Sequence, residues 1–125
     1  MLESNIISRM DSIINKDNTT YDELKILAAI SGGIDSMVLA DQLLSIKPNK
    51  NYELAFAHVN YQTRPDSNEV EKFCEEYSKF NNVQFHHKIA KYSKKEKLSF
   101  EAWARDVRYS FFNDLCEKHG YHWIL

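Results

Sequence analysis

Apolar residues recur at helical spacing at Ile6, Ile7, Met10, Ile13 and Ile14, which predicts an amphipathic helix over roughly 3–15. Asp17-Asn18-Thr19-Thr20 breaks it, and the pattern then changes. Ile26-Leu27-Ala28-Ala29-Ile30 is a continuous apolar run, short enough for a strand buried on both faces. It leads straight into the turn Ser31-Gly32-Gly33-Ile34-Asp35-Ser36. Residues 37–45 read as a helix packing through Val38, Leu39 and Leu43. That helix is predicted to end before Pro48, because the residue preceding a proline is driven away from helical geometry. A second strand follows over 52–61, and Arg64-Pro65-Asp66-Ser67 opens a turn. Ser67 is predicted to cap a helix reaching about Phe80, with Val70, Phe73, Cys74 and Tyr77 buried. Asn81-Asn82 closes it, residues 83–89 form a third strand, and 91–97 form a polar loop. Ser99 then starts a long helix whose core stripe is Phe100, Trp103, Ala104, Val107, Phe111 and Leu115. Gly120 suits the position just past its end, and 121–125 begins a fourth strand.

Strands alternating with helices predict an α/β fold with right-handed crossovers and a parallel sheet, in one domain over 1–125. With 43% apolar and 13% aromatic residues the chain can build a core, which sets disorder aside. The formal charge of −2 argues against binding polyanions through the surface as a whole. A membrane span needs about 18 consecutive apolar residues, and no such run exists. The start MLESNIISRMDSI mixes acids with apolar residues and carries no small-residue cleavage site, unlike a signal peptide. Cys74 and Cys116 form no CxxC. A reducing, cytoplasmic setting is the simplest expectation.

The candidate chemistry lies in the first strand-to-helix turn. The chain has three glycines, and two of them stand together there. Such a turn in a parallel sheet falls at the carboxyl edge, where open α/β sheets bind ligands. Glycine permits positive φ and lets an anion approach without meeting a Cβ. The helix that follows offers unpaired N–H groups and the positive end of its dipole. Ser31 and Ser36 add hydroxyls, so the turn can cradle phosphate. Asp35 would repel a bare phosphate; it makes sense beside a Mg²⁺, or as a group that orients a nucleophile or a main-chain donor. The competing reading is a plain tight turn in which Asp35 and Ser36 cap the helix. There is no GxxxxGK[ST] and no GxGxxG, so Walker-type and dinucleotide-binding folds lose ground.

Ser31-Gly32-Gly33-Ile34-Asp35-Ser36 resembles the SGGxDS loop of the N-type ATP pyrophosphatases, or PP-loop enzymes, which cleave ATP between the α and β phosphates. His58-Val59-Asn60-Tyr61-Gln62-Thr63-Arg64, followed by Ser67 and Glu69, resembles the HVNHxLR segment of the tRNA(Ile)-lysidine synthetases. Residues 101–109, EAWARDVRY, resemble the EAxARxxRY helix of that same family. Tyr61 stands where the family usually has histidine, and Thr63 where it usually has leucine. The resemblance implies a Rossmann-like (adenine nucleotide alpha hydrolase-like) parallel sheet with helices on both faces. It implies adenylation of the wobble cytidine of an isoleucine tRNA, with free lysine then displacing AMP. By the same resemblance, ATP pyrophosphate would sit on Ser31, Gly32, Gly33, Ile34, Asp35 and Ser36, with Asp35 near Mg²⁺. Asp35, Arg105 and Arg108 would be catalytic, the arginines meeting phosphate or the reacting base, while His58, Asn60 and Arg64 would lie near adenosine or cytidine. The family continues beyond a strand like 121–125 into a segment rich in His and Asp and then into tRNA-binding parts. This predicts a fragment truncated after the fourth strand, inactive alone, with an exposed apolar sheet edge prone to self-association.

Simpler explanations compete at several positions. Glu101 and Arg105 have the spacing of a helical surface pair, whereas Arg108 and Asp114 do not. His119 and His122 flank Gly120 and suit capping or packing, and His86 and His87 must point to opposite faces of a strand. Lys88, Lys91, Lys94, Lys95 and Lys97 read as a solvated loop, with contact to RNA phosphates the alternative. A tRNA thiolation enzyme of the same superfamily, a non-catalytic nucleotide-binding module and a domain binding no nucleotide remain as other functions.

Overall fold

Local sequence signals place most element boundaries in the computed structural model, which describes residues 2–93 and 95–124. Met1, Lys94 and Leu125 lie outside the described residues. The elements are α1 (Leu2–Asp17), a short 3-10 turn (Tyr21–Glu23), β1 (Lys25–Ala29), α2 (Ile34–Lys50), β2 (Glu53–Asn60), α3 (Ser67–Phe80), β3 (Gln84–Ile89), α4 (Phe100–His119) and β4 (His122–Ile124). At the N-terminus of α4 the Ser99 hydroxyl accepts the Ala102 N–H at 3.3 Å. Gly120 closes the helix at φ 74°, donating its N–H to the Cys116 carbonyl.

All neighbouring strands are parallel, in the order β3-β2-β1-β4. Alternation along β1 and β2 separates two cores. Ile26, Ala28, Leu54 and Phe56 pack with Ile6 and Met10 of α1, Leu39 and Leu43 of α2 and Cys74 of α3. Leu27, Ala55 and Ala57 pack with Phe112 and Leu115 of α4. Helices therefore cover both faces of the sheet, with α4 alone on one side. The connection from β3 passes over that face and lays β4 against β1, so the strand order reverses at β1. A reversal of this kind opens a crevice at the carboxyl end of the strand, here just where the turn 31–36 leaves β1.

Four local expectations are corrected. The helix predicted over 37–45, ending before Pro48, is longer at both ends: α2 begins at Ile34 and continues through Pro48 to Lys50, closing on Asn51 at φ 58°. Buried Ile46 and a hydrogen bond from the Tyr52 hydroxyl to the Leu43 carbonyl fasten the last turns to the core, which outweighs the proline's local preference. Ser67 is the first residue of α3 and not its cap; its hydroxyl accepts the Arg64 N–H at 3.1 Å, and Asp66 holds the cap position. Phe73 is 49% exposed, since the α3 stripe meets the sheet mainly through Cys74 and Ser78. The stripe of α4 is also only partly core: Ala104, Phe112 and Leu115 are buried, while Phe100, Trp103 and Phe111 are half-buried. Phe100 and Trp103 pack against the rings of Tyr61 and Tyr92 instead.

Candidate functional site

The turn after β1 is shaped by its two glycines in different ways. Gly32 lies at φ +85°, and a Cβ there would sit 2.7 Å from Val70 Cγ1 on α3. Only glycine meets both demands. Gly33 is exposed, extended (φ −77°, ψ 163°) and forms the cap position of α2. Neither Asp35 nor Ser36 caps this helix, because both lie within its first turn. The Ser36 hydroxyl accepts the Ser31 N–H and donates to the Gly33 carbonyl, both at 3.0 Å. Ser31 Oγ accepts the Gly33 N–H at 3.3 Å. The two serines thus brace the turn from within. The first main-chain bond of α2 runs from Met37 N–H to the Gly33 carbonyl at 3.1 Å, so the amides of Ile34, Asp35 and Ser36 precede the helical ladder. They gather at the positive end of the helix dipole.

Two clefts flank this turn at the carboxyl edge. The smaller, about 150 Å³, is lined by residues including Ser31, His58, Asn60, Tyr61, Arg64 and Val70. The larger, about 290 Å³, is lined by residues including Ser31, Ser36, His58, Tyr61, Arg108 and Phe112. Ser31, His58, Val59 and Tyr61 belong to both. Along β2, His58 and Asn60 share the side facing α3, while Tyr61, just past the strand, reaches Ala104 on α4. His58 is buried, and its Nδ1 lies 2.8 Å from the Ile30 carbonyl. A carbonyl only accepts, so Nδ1 carries the proton. Asn60 is fixed by donating to Asn68 Oδ1 and accepting the Gln62 N–H, both at 2.9 Å.

The arginines differ. Arg108 lines the larger cleft, with its guanidinium 3.5 Å from the Tyr61 hydroxyl, which in turn donates to the Ala104 carbonyl at 3.2 Å. Tyr61, the departure from the family segment, therefore bridges the end of β2 to α4. Arg64 borders the smaller cleft but is paired with Asp66 at 3.0 Å. Arg105 lines neither cleft; it is exposed and lies over the Tyr109 ring, 5.3 Å from its centroid. No ion pair joins it to Glu101 among the described residues, so that simple explanation of Arg105 is not realised. Sequence reasoning missed Val70 beneath Gly32, Phe112 in the cleft wall and the Tyr61 bridge. All three depend on tertiary packing: Tyr61 stands out in the sequence as a departure within the 58–64 segment, but its reach to Ala104 and Arg108 on α4 is not visible there.

Asp35 is exposed at the entrance to the turn, and no cation pairs with it among the described residues. Nor do the described residues contain a group of three or more His, Cys, Asp or Glu able to hold a metal ion. A single accessible carboxylate fits Mg²⁺, which is commonly held by one or two carboxylates together with phosphate oxygens and water. The other tempting groups are occupied elsewhere. His86 and His87 do face opposite sides, toward Tyr121 and Glu71. His119 packs on His86 and Tyr121, and His122 pairs with Asp17 at 2.7 Å.

Burial, reinforced by the Glu71 carboxylate, pushes the Cys74 thiol up to about 11, and burial also raises Cys116. A raised thiol is protonated at neutral pH and a poor nucleophile. In the folded chain both cysteines are expected to resist alkylation at pH 8 and to react rapidly in denaturant, as mass spectrometry can follow. Fast native modification of Cys74 would contradict the packing described for α3.

A profile described as a PP-loop domain matches residues 2–125. A tRNA(Ile)-lysidine synthase of Persephonella marina is 39% identical over 100 residues, covering 77% of this chain and 22% of that protein. A tRNA(Ile)-lysidine synthase of Mesoplasma florum is 38% identical over 112 residues, covering 88% and 26%. The chain thus spans about a quarter of the length of these curated relatives. Among solved structures, the U34-tRNA thiolase NcsA of Methanococcus maripaludis, with its 4Fe-4S cluster, superposes with a TM-score of 0.65 at 16% identity. That match covers 78% of this chain and 35% of the thiolase, and it establishes likeness of fold. No helix among the described residues is long and apolar enough to cross a membrane.

Proposed function

The chain belongs to the PP-loop domain family, and from that premise we propose that residues 31–36 bind the pyrophosphate portion of ATP for a tRNA-modifying ligase. The observation that carries this reading is the bend at Gly32-Gly33, exposed at Gly33, with the amides of Ile34, Asp35 and Ser36 gathered before the first bond of α2. Ser31 and Ser36 hold the bend in shape, so little reorganisation is needed when charge accumulates on the leaving pyrophosphate. Preorganised donors of this kind are typically worth about 3 kcal/mol each in the transition state. Asp35 would hold Mg²⁺, which when bound offsets the phosphate charge. Arg108 lines the larger cleft with a permanently charged, planar donor suited to phosphate, and Tyr61 positions it. His58, Asn60 and Arg64 line the smaller cleft, where a nucleoside would be held. Arg105 is assigned a part only by its place in the helix motif and would meet a longer substrate outside the clefts.

For the protein of full family length, the reaction proposed is adenylation of the wobble cytidine of an isoleucine tRNA, followed by attack of free lysine and release of AMP. The 1–125 unit would supply the nucleotide-binding part and have no turnover alone. The outer edges of β3 and β4 offer main-chain groups for self-association, which light scattering would detect as mass above 14.7 kDa. A thiolation enzyme is the second reading, favoured by the fold of the thiolase neighbour. Against it, Cys74 and Cys116 lie on helices at opposite faces of the sheet and are both protonated, so they cannot act together. Mass spectrometry of isoleucine tRNA treated with the full-length protein, ATP and lysine separates the two. Gain of a lysine residue on the wobble cytidine is expected; sulfur insertion would overturn the ligase reading and leave the ATP site standing.

A further inference from the structure

The charge of this chain is unevenly spread. Residues 88–97 hold five lysines against one glutamate, a charge of +4 in a chain whose total is −2, leaving −6 elsewhere. Lys88, Lys91, Lys95 and Lys97 are exposed, and no carboxylate pairs with them among the described residues. An ordinary solvated loop carries mixed charge; this one concentrates a single sign on a surface that is otherwise acidic.

The segment is also anchored beside the clefts. Its first turn is tied down by the Ala90 N–H donating to the carbonyl of Asn60 at 2.9 Å, and Asn60 lines the smaller cleft. The Tyr92 hydroxyl donates to the Leu98 carbonyl at 2.6 Å, closing the loop upon itself. The Tyr92 ring then packs edge-on against Phe100 and Trp103, with centroids 5.4 and 5.2 Å away. The Ser99 cap fixes the exit. Because β1, β2 and β3 are parallel, the loop leaves the same edge of the sheet as the turn 31–36. Exposed Arg105 lies on the helix the loop enters.

We propose that the lysine segment 88–97 binds the phosphate backbone of RNA flanking a nucleotide held in the adjoining clefts. The assignment rests on the RNA-modification reading above. A polynucleotide with one nucleotide in a cleft must carry its neighbouring phosphates across the rim, and the rim beyond Asn60 is this basic loop. Anchoring at Asn60, Tyr92 and Ser99 lowers the entropy lost on binding. Backbone contacts of this kind give affinity without sequence preference and make it strongly salt-dependent.

The test is fluorescence anisotropy of the full 125-residue chain with a labelled RNA hairpin of anticodon-arm size, over a series of salt concentrations. The comparison is a variant carrying Lys88→Gln, Lys91→Gln, Lys95→Gln and Lys97→Gln. Each neutralised phosphate contributes roughly 0.7 to the slope of log affinity against log salt, so the variant's slope should be shallower by about 3. Its affinity at low salt should fall at least tenfold, while its response to magnesium pyrophosphate stays that of the original chain. Equal slopes for both proteins would overturn the proposal. So would lysine-dependent binding to phosphatidylserine vesicles without RNA binding, since exposed Ile89 and Leu98 give the loop some apolar surface. Loss of the pyrophosphate response in the unaltered chain, with the RNA slopes as expected, would sink the nucleotide reading and leave this one intact.

Discussion

Gly32→Ala is expected to destabilise the chain by about 1–3 kcal/mol and to remove most of its pyrophosphate binding. Two independent penalties act at this position. The backbone sits at φ +85°, where an L side chain is strained, and the new Cβ would lie 2.7 Å from Val70 Cγ1. Relief requires α3 to move from the turn or the turn to move from α3, and the second displaces the amides proposed to hold phosphate. A drop of roughly 4 °C in melting temperature per kcal/mol is expected for a domain of this size. Val70→Ala in the Gly32→Ala background should recover the steric part while leaving the backbone strain, so the pair should be less damaging than the sum of its members. Gly33→Ala separates stability from binding. At φ −77° alanine is allowed, and its Cβ would meet only Ser31 Oγ at 3.4 Å. The Gly33→Ala chain should melt nearly where the original does, yet bind pyrophosphate more weakly, because a methyl group occupies the bare surface. Equal binding by that variant would show that the glycine pair serves the fold alone.

Asp35→Asn is expected to bind pyrophosphate more tightly than the original chain without Mg²⁺ and more weakly with it. Asp35 lies in the first turn of α2, where a carboxylate favours the helix by about 0.3–1 kcal/mol, so a small loss of stability should follow. Without Mg²⁺, the carboxylate opposes an arriving phosphate. Two unit charges about 4 Å apart in water repel by about 1 kcal/mol, so the variant should bind metal-free pyrophosphate roughly fivefold more tightly. With Mg²⁺ present the order should invert, because the variant lacks the charge that holds the ion. Titrations of both chains, with chelator and with Mg²⁺, measure this directly. Parallel changes in both conditions would remove Asp35 from any metal role and leave only its effect on the helix.

Much of the architecture could be read locally. The apolar run 26–30, the glycine pair, Ser99 and Gly120 each declare an element or its end through conformational preferences that act within a few residues. What could not be read depends on which elements become neighbours. Alternation tells which face a strand residue occupies, but not that β4 joins β1 on the side away from β2. For the same reason the sequence could not reveal that Val70 presses on Gly32, or that Phe112 walls the larger cleft. Pro48 misled because its local preference was weighed without the burial of Ile46 and the Tyr52 bond to Leu43. Arg64 and Arg108 both border clefts, but Arg64 is paired with Asp66 while Arg108 lies against the Tyr61 hydroxyl. Motif resemblance brought both forward, and only packing tells them apart.

The claim on which the account stands is that main-chain amides beyond β1 receive the phosphates of ATP. Isothermal titration of the purified chain with MgATP, and separately with magnesium pyrophosphate, tests it most directly. The account predicts saturable heat at one site for both ligands, a rise in melting temperature, and weaker binding by Gly33→Ala. No heat and no melting shift with either ligand, from a chain shown to be folded, would contradict it.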